Sequence, residues 1–316
     1  MTRAAVLCGL GSSVPPTIVG NEELSAELDT SDQWIRSRTG ISQRHIASGL
    51  STSDLAVLAG REALDSAGAD GVDALVLATS TPDRPCPATA PAVAAELGLG
   101  EVAAFDVAAV CTGFVYALAS AAGLIATGVA DRVLVIGADT FSTILDPADR
   151  TTRAIFGDGA GAVVLRAGRA GEPGALRGFQ LGSDGSRADL ITQRRGGYFE
   201  MSGREVFTQA VLRMAESVRQ VVKEADWELA DVTHVVAHQA NIRILHAVAD
   251  QLGLPRTLMS SNLDRVGNTV AASIPLALAD AALPAGAKVV LTGFGGGLTW
   301  GSTALTWPVL GKETDV

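Results

Sequence analysis

Cysteine is scarce in this chain of 316 residues. The three cysteines, Cys8, Cys86 and Cys111, are too few and too scattered to form a disulfide framework. No C-x-x-C pair and no cluster of histidine and cysteine has the spacing of a zinc site. We therefore expect no bound metal and a cytoplasmic location, where thiols stay reduced.

Charged side chains are also few, at 18% of the chain, and acidic ones outnumber basic ones to give a formal net charge of −10. An acidic protein repels the phosphates of nucleic acid, so we expect no nucleic-acid partner. The apolar stretch 4–10 is too short for a signal peptide, and no apolar run is long enough to span a membrane. We expect no membrane partner either.

Apolar residues and glycine are abundant, with 47% hydrophobic residues and 35 glycines, which indicates a large and tightly packed core. Continuous apolar runs, typical of strands buried on both faces, alternate with helical patterns, and this alternation predicts an α/β fold. The predicted strands are 74–80, 101–107, 132–139, 160–166, 234–239, 288–293 and 302–307. The predicted helices are 51–68, 88–97, 112–127, 203–225, 242–252 and 270–283.

The order of predicted elements repeats along the chain. In each half a strand, a helix, a helix rich in small residues and a second strand follow one another. Cys111 and Asn268 take comparable places, each at the start of a small-residue helix. The repeat predicts two similar halves, residues 1–168 and 169–316, with a site between them.

Cys111 stands where a predicted strand ends and a helix begins. Unpaired backbone N–H groups and the positive end of the helix dipole favour the thiolate, the reactive form of cysteine. Taken alone, such a residue is more often a buried packing cysteine.

Two further polar residues strengthen the case for chemistry. His238 lies near the end of the predicted strand 234–239, and Asn268 follows Gly267 at a turn before a helix. Together with Cys111 they form a candidate Cys/His/Asn constellation. Their order is that of papain-like proteases, but the papain signature around the cysteine is missing. The glycine-rich segment 157–162 is not a dinucleotide loop, since it precedes a strand and lacks the GxGxxG spacing.

Six segments of the chain resemble the β-ketoacyl-acyl carrier protein synthase III family. They are 31–41, 105–116, 155–162, 238–241, 267–269 and 293–301. The resemblance implies the thiolase fold, with two similar halves in a layered α-β-α-β-α arrangement. It also implies an initiating condensation: acyl-CoA acylates Cys111, and malonyl-acyl carrier protein then loses carbon dioxide and attacks the thioester. No cofactor is implied, because acyl-CoA is a substrate.

The resemblance also implies roles for individual residues. His238 and Asn268 stabilise the enolate of the malonyl thioester, and the backbone N–H groups of Cys111 and Gly296 form the oxyanion hole. The residues implied to bind CoA are Thr30, Trp34, Arg38, Arg150 and Asn241. The residues implied to dock the acyl carrier protein are Arg204, Arg213 and Arg243.

The family resemblance further implies a homodimer, which we expect to pair through the strand 101–107. Cys86 stands where many relatives carry a phenylalanine that limits the acyl pocket of the partner subunit. A smaller residue there predicts tolerance of longer or branched acyl groups.

Two other functions stay open. One is a non-condensing acyltransferase of the same fold that moves the acyl group to a hydroxyl or amine, and the other is a non-catalytic scaffold. The presence of Cys111, His238 and Asn268 favours condensation.

Overall fold

The structure is a computed structural model that describes residues 3–311. Its strands are β1 (Arg3–Ser13), β2 (Thr17–Gly20), β3 (Gln43–Ile46), β4 (Ala74–Ala78), β5 (Ala103–Val107), β6 (Arg132–Asp139), β7 (Gly159–Arg169), β8 (Leu176–Ser183), β9 (Ile191–Gln193), β10 (Phe199–Met201), β11 (His234–Ala237), β12 (Lys288–Gly295) and β13 (Thr299–Thr306). Its helices are α1 (Asn21–Glu27), α2 (Asp32–Thr39), α3 (Thr52–Ala67), α4 (Ala90–Glu96), α5 (Gly113–Ala126), α6 (Arg150–Arg153), α7 (Gly203–Glu224), α8 (Ile242–Leu252), α9 (Leu263–Val266) and α10 (Ser273–Asp280).

The seven predicted strands and six predicted helices are all present, with ends shifted by a few residues. The start of α3 is a capping box in which Ser51 and Asp54 exchange hydrogen bonds, and Gly68 ends the helix in the left-handed conformation. Strand β8 escaped prediction because its residues are only partly buried and include two glycines. The predicted last helix is shorter than expected, because α10 ends at Asp280 and a 3₁₀ turn, Val270–Ala272, precedes it.

Two sheets form the body of the protein. The first has the strand order β1-β7-β6-β4-β5, and the second has the order β11-β12-β13-β8. The two orders correspond when β8, β13, β12 and β11 are matched with β1, β7, β6 and β4. In the first sheet β5 pairs with the outer edge of β4. At the matching edge of β11 the described part of the second sheet has only a single parallel bridge, between Val235 and Met259. The boundary between residues 168 and 169 falls at the end of β7 and stays a prediction.

Helices fill three layers around these sheets. Helices α5 and α10 lie between the sheets, where α5 contacts strands of both. Helices α3 and α4 cover the outer face of the first sheet, and α7 and α8 cover the second. The middle helices share one buried apolar cluster with the inner faces of both sheets, and each outer helical layer has its own cluster against its sheet. The layered α-β-α-β-α arrangement predicted for the thiolase fold is confirmed. No helix within residues 3–311 is both long and apolar enough to cross a membrane.

The two middle helices begin in the same unusual way. A 3₁₀ turn, Val110–Thr112, precedes α5, and the turn Val270–Ala272 precedes α10. The first residue of each turn is a valine in the left-handed region, with φ of 46° at Val110 and 52° at Val270. That conformation is strained for a β-branched residue. The two turns therefore correspond, and Cys111 matches Ala271. The expectation that Cys111 matches Asn268 was wrong, because Asn268 lies before its turn rather than within it.

Strand-end glycines let these turns approach the sheets. A Cβ atom placed on Gly137, in β6, would lie 2.3 Å from the carbonyl oxygen of Ala271. We expect Gly137→Ala to lower the free energy of unfolding by about 1–3 kcal/mol, since the backbone must shift to relieve the overlap. Gly123→Ala is the control: Gly123 is exposed in α5 with no neighbour within 4 Å of a built Cβ, and alanine there should stabilise by roughly 0.5–1 kcal/mol. Denaturant unfolding measures both, and equal effects would contradict the close approach.

Candidate active site

The structure brings Cys111, His238 and Asn268 to the wall of one small cavity of about 40 Å³. The three residues come from the turn before α5, the end of β11 and the loop after α9. All three are buried, with exposed fractions of 8%, 3% and 4%. Because the rest of the lining is mostly apolar, an electrostatic interaction in this cavity is screened little by water.

Backbone hydrogen bonds hold His238 and Asn268 in place. The N–H of His238 donates to the carbonyl oxygen of Thr292 at 2.8 Å, which ties the end of β11 to β12. The N–H of Asn268 donates to Ile155 at 2.9 Å, and the N–H of Gly157 donates to the carbonyl of Asn268 at 2.9 Å. The glycine-rich segment after α6 thus supports the asparagine.

The side chain of Asn268 is oriented by its own turn. Its Oδ1 accepts a hydrogen bond from the N–H of Val270 at 3.0 Å. The acceptor end of the amide is therefore engaged, and the Nδ2 donor is the end available to a ligand in the cavity.

His238 is a neutral imidazole. Burial lowers its pKa to about 3, so the ring carries no charge at neutral pH. Its Nδ1 lies 2.6 Å from Oγ of Ser273, and that hydroxyl lies 2.8 Å from the carbonyl oxygen of Val270. The single hydroxyl proton of Ser273 can be donated to either acceptor. When it is donated to Nδ1, the ring proton resides on Nε2 and His238 is a hydrogen-bond donor there.

The Cys111 thiol differs from expectation. Burial raises its pKa well above the usual range, and the nearby negative charge of Asp139 raises it further. A backbone hydrogen bond of Cys111 itself lowers its pKa, but this effect does not outweigh the loss of water around the sulfur.

Glycines bring β12 close to Cys111. A Cβ placed on Gly295 would lie 2.8 Å from the backbone nitrogen of Cys111. Gly296, the other predicted oxyanion-hole residue, is the next residue along and packs against Ile191 of β9. The part of the chain between Arg3 and Gly311 contains no group of three or more His, Cys, Asp or Glu residues placed to hold a metal ion.

Comparisons with known proteins identify the family of this chain. Residues 105–185 match the family model described as 3-oxoacyl-[acyl-carrier-protein (ACP)] synthase III, and residues 222–307 match the model of its C-terminal part. The chain is 59% identical to a beta-ketoacyl-[acyl-carrier-protein] synthase III of Pseudomonas aeruginosa, over all of both chains. It is 57% identical to a synthase III of Streptomyces coelicolor, over 98% of this chain and 99% of the relative.

This chain belongs to the β-ketoacyl-acyl carrier protein synthase III family. A solved structure from Pseudomonas aeruginosa PAO1, a 3-oxoacyl-(acyl carrier protein) synthase III, has a TM-score of 0.95 and 60% identity, covering 97% of this chain and 99% of that one. A priming β-ketosynthase from the R1128 polyketide pathway has a TM-score of 0.92 and 32% identity, covering 97% of each chain.

Residues that the synthase III resemblance assigns to CoA are partly assembled. Trp34 is flanked by Arg38 and Arg150, whose guanidinium carbons lie 5.0 and 5.4 Å from the ring centroid. Oγ1 of Thr30 is buried with no hydrogen-bond partner among the described residues. Asn241 caps α8, because its Oδ1 accepts from the N–H of Ile244 at 3.0 Å. Their roles in binding CoA stay predictions.

The three arginines assigned to carrier docking differ in how exposed their side chains are. Arg204 and Arg243 are exposed. Arg213 is half-buried, stacks over Trp300 at 4.6 Å from the ring centroid and forms an ion pair with Glu216 at 3.3 Å. Since its side chain is already engaged within the protein, Arg213 is the least available of the three.

Cys86 lies in an exposed loop and does not line the catalytic cavity or its neighbours within the same subunit. Its predicted place in the acyl pocket concerns the partner subunit and stays a prediction.

Some site residues could not be found from sequence. The cavity wall includes three phenylalanines in mutual contact, Phe141, Phe156 and Phe199, with ring centroids 4.7–5.2 Å apart. A second cavity of about 240 Å³ adjoins the first, and the two share Phe141, Phe199, Val110 and Ile191 as walls. Ile191 and Phe199 belong to the small β9–β10 hairpin, which is separate from both main sheets. Neither spacing nor composition singled out these residues, since they come from distant parts of the chain.

The raised pKa of Cys111 has a measurable consequence. Near neutral pH we expect iodoacetamide to alkylate exposed Cys86 before buried Cys111 in the unliganded enzyme. Peptide mapping of a time course by mass spectrometry measures the order. In Cys86→Ser the fast phase should vanish and the slow phase remain. Alkylation of Cys111 first would show that the helix start outweighs burial.

Proposed function

We propose that this protein is an initiating β-ketoacyl synthase. Acyl-CoA acylates Cys111, and decarboxylative condensation with malonyl-acyl carrier protein then gives a β-ketoacyl product for fatty-acid or polyketide synthesis. The single observation that carries the proposal is that a thiol, a neutral imidazole and an oriented amide share one buried cavity.

The first step is an acyl transfer. The sulfur of Cys111 attacks the thioester carbon, the bond to the CoA sulfur breaks, and the thiol proton leaves with CoA. Backbone N–H groups of Cys111 and Gly296 are the donors proposed to stabilise the oxyanion of the tetrahedral intermediate. Because Gly295 has no Cβ atom, space is left beside the backbone nitrogen of Cys111. In this broad sense the enzyme is an acyltransferase.

The second step requires donors that carry no charge of their own. When the malonyl carboxylate leaves as carbon dioxide, its electron pair becomes an enolate whose negative charge develops on the thioester oxygen. Asn268 presents Nδ2, and neutral His238 presents Nε2–H when Ser273 donates to its Nδ1, so that both can then donate to that oxygen. The enolate carbon then forms a bond to the thioester carbon on Cys111, and the cysteine sulfur leaves.

The proposed substrates are acyl-CoA and a malonyl-acyl carrier protein in the cytoplasm. Trp34 between two guanidinium groups offers a planar surface to the adenine of CoA. The exposed Arg204 and Arg243 offer positive charge to an acidic carrier. The non-condensing acyltransferase is not favoured, because it has no need for the oriented amide of Asn268.

The proposed enzyme is also a homodimer. Strand β5 is an edge of the first sheet, and Phe105 in it is 37% exposed. An exposed apolar edge strand is commonly covered by a partner.

Two half-reactions test the proposed function. Intact-mass spectrometry should show one acyl group on the wild-type enzyme after incubation with acyl-CoA, and none on Cys111→Ala. His238→Ala and Asn268→Ala should still gain the acyl group, but their release of carbon dioxide from malonyl carrier should fall by roughly two to three orders of magnitude.

Each alternative has its own outcome in these assays. A wild-type enzyme that is acylated but releases no carbon dioxide is a non-condensing acyltransferase. A wild-type protein that is never acylated is a scaffold.

Sedimentation velocity tests the dimer. We expect the wild-type protein to sediment as a dimer at micromolar concentration, and Phe105→Lys to shift it toward monomer, since a charge is costly to bury at the edge. Leu58→Lys is the matched control, because Leu58 is 53% exposed on α3, away from that edge. A monomeric wild type, or equal effects of the two variants, would contradict pairing through β5.

A further inference from the structure

The turns before α5 and α10 lie against the corresponding strands β12 and β6. At one pair of matching positions in these strands the residue type differs. Gly293 and Gly137 correspond, and each lies against a turn, since a Cβ on either would come within 3.3 Å and 2.3 Å of the carbonyl oxygens of Cys111 and Ala271. Two residues further along each strand, Gly295 stands beside the nitrogen of Cys111. At the matching place in the other half is Asp139, whose Oδ2 accepts from the N–H of Ala271 at 3.0 Å.

The internal symmetry therefore gives one helix start a carboxylate and leaves the other open. The N–H of Ala271 is occupied by a negatively charged oxygen from the protein. The N–H of Cys111 has glycine at that position and is the donor proposed for the substrate oxyanion. Asp139 thus accepts a permanent hydrogen bond from the N–H of one turn, whereas the proposed thioester oxygen accepts a transient one from the N–H of the other.

Asp139 is completely buried and held by donors. Its Oδ1 accepts from the N–H of Ser80 at 2.7 Å and of Thr81 at 3.2 Å, and from the hydroxyls of Thr79 at 3.3 Å and Thr81 at 3.0 Å. Five donors therefore converge on one carboxylate. Four of them come from the loop after β4, in the first half, and the fifth comes from the turn before α10, in the second half.

The fifth bond leads directly to the proposed catalytic amide. Ala271 follows Val270, whose own N–H donates to Oδ1 of Asn268 at 3.0 Å. Val270 is held in a strained left-handed conformation. A strained turn persists only when its surroundings hold it, and the Asp139–Ala271 bond is one such contact. Release of Ala271 would free the peptide of Val270 and with it the orientation of Asn268.

We propose that Asp139 is a positioning residue for malonyl decarboxylation, whose carboxylate anchors the turn that aims Asn268 at the developing enolate. The inference rests on the proposed condensing function.

The same carboxylate affects the thiol in the opposite direction. The negative charge of Asp139 raises the pKa of Cys111. Loss of that charge should therefore ease thiolate formation while it loosens the turn that holds Asn268. A residue that served only to hold the fold together would, when changed, slow both half-reactions.

The decisive variant is Asp139→Asn, which keeps the shape and removes the charge. Its amide has to place an NH₂ group against either Ala271 or the loop after β4, and at both places backbone N–H groups, of Ala271 or of Ser80 and Thr81, cannot accept a hydrogen bond. We expect the rate of carbon dioxide release from malonyl carrier to fall by roughly tenfold or more, short of the loss on deleting an enolate donor. Self-acylation by acyl-CoA should be unchanged or faster.

Two comparisons sharpen this test. Thr79→Val removes the longest of the five bonds but leaves the charge and the Ala271 bond, so both half-reactions should be retained. In the double variant Asp139→Asn/Asn268→Ala, decarboxylation should be no slower than in Asn268→Ala, because the two residues act through one amide. Additive losses, or an equal loss in both half-reactions, would overturn the proposal.

A second measurement covers failure of Asp139→Asn to fold. Burial raises the pKa of Asp139 to about 6, so its charge is lost as the pH falls through that value. Two elements contact its carboxylate. The loop 79–81 provides hydroxyl and backbone N–H donors, and the turn 270–272 provides a backbone N–H donor. Cys111 is the titratable group nearby in the described chain, and His238 stays neutral throughout. Wild-type decarboxylation should drop near pH 6, and a flat profile would overturn the proposal.

These outcomes are separable from failure of the proposed function. If wild-type enzyme releases no carbon dioxide from malonyl carrier, the condensing function is wrong. If wild-type enzyme is active and Asp139→Asn keeps the wild-type ratio of the two half-reactions, only the positioning role is wrong.

Discussion

The whole arrangement depends on how closely two helix starts approach the ends of two strands. The turns at Cys111 and Ala271 press against β12 and β6, and glycine at positions 293, 295 and 137 is what allows it. This approach places a backbone N–H of the buried middle layer beside the catalytic cavity. It also forces a valine into the left-handed region at each turn, so the packing between the layers has to offset that strain.

Burial has opposite effects on the residues of the cavity. It keeps His238 neutral, which suits the role proposed for this residue as an uncharged hydrogen-bond donor to an enolate. The same burial raises the pKa of the Cys111 thiol, which is less favourable for a nucleophile. Burial thus favours a neutral donor more than a thiolate, and the backbone N–H groups at the start of α5 act on the thiol in the opposite direction.

Much of the fold was predictable because buried strands and amphipathic helices leave strong local patterns. The ends of β11 and the turns near Cys111 and Asn268 were found in this way, since a polar residue directly after an apolar run is conspicuous. Strand β8 lacks such a pattern because none of its residues, on either face, is fully buried. The match between Cys111 and Asn268 failed because sequence spacing cannot show which residue lies within a turn and which precedes it. Asp139 was overlooked because the meaning of a carboxylate at the end of β6 depends on Ala271, which is 132 residues away.

The β9–β10 hairpin has a consequence for how such a protein changes over time. Ile191 and Phe199 face both the catalytic cavity and the larger cavity beside it, yet they belong to a two-stranded unit outside the main sheets. Replacement of a side chain in the hairpin alters the wall of both cavities. Because the hairpin lies outside both main sheets, its wall residues can change without a change in the strands and turns that carry Cys111, His238 and Asn268.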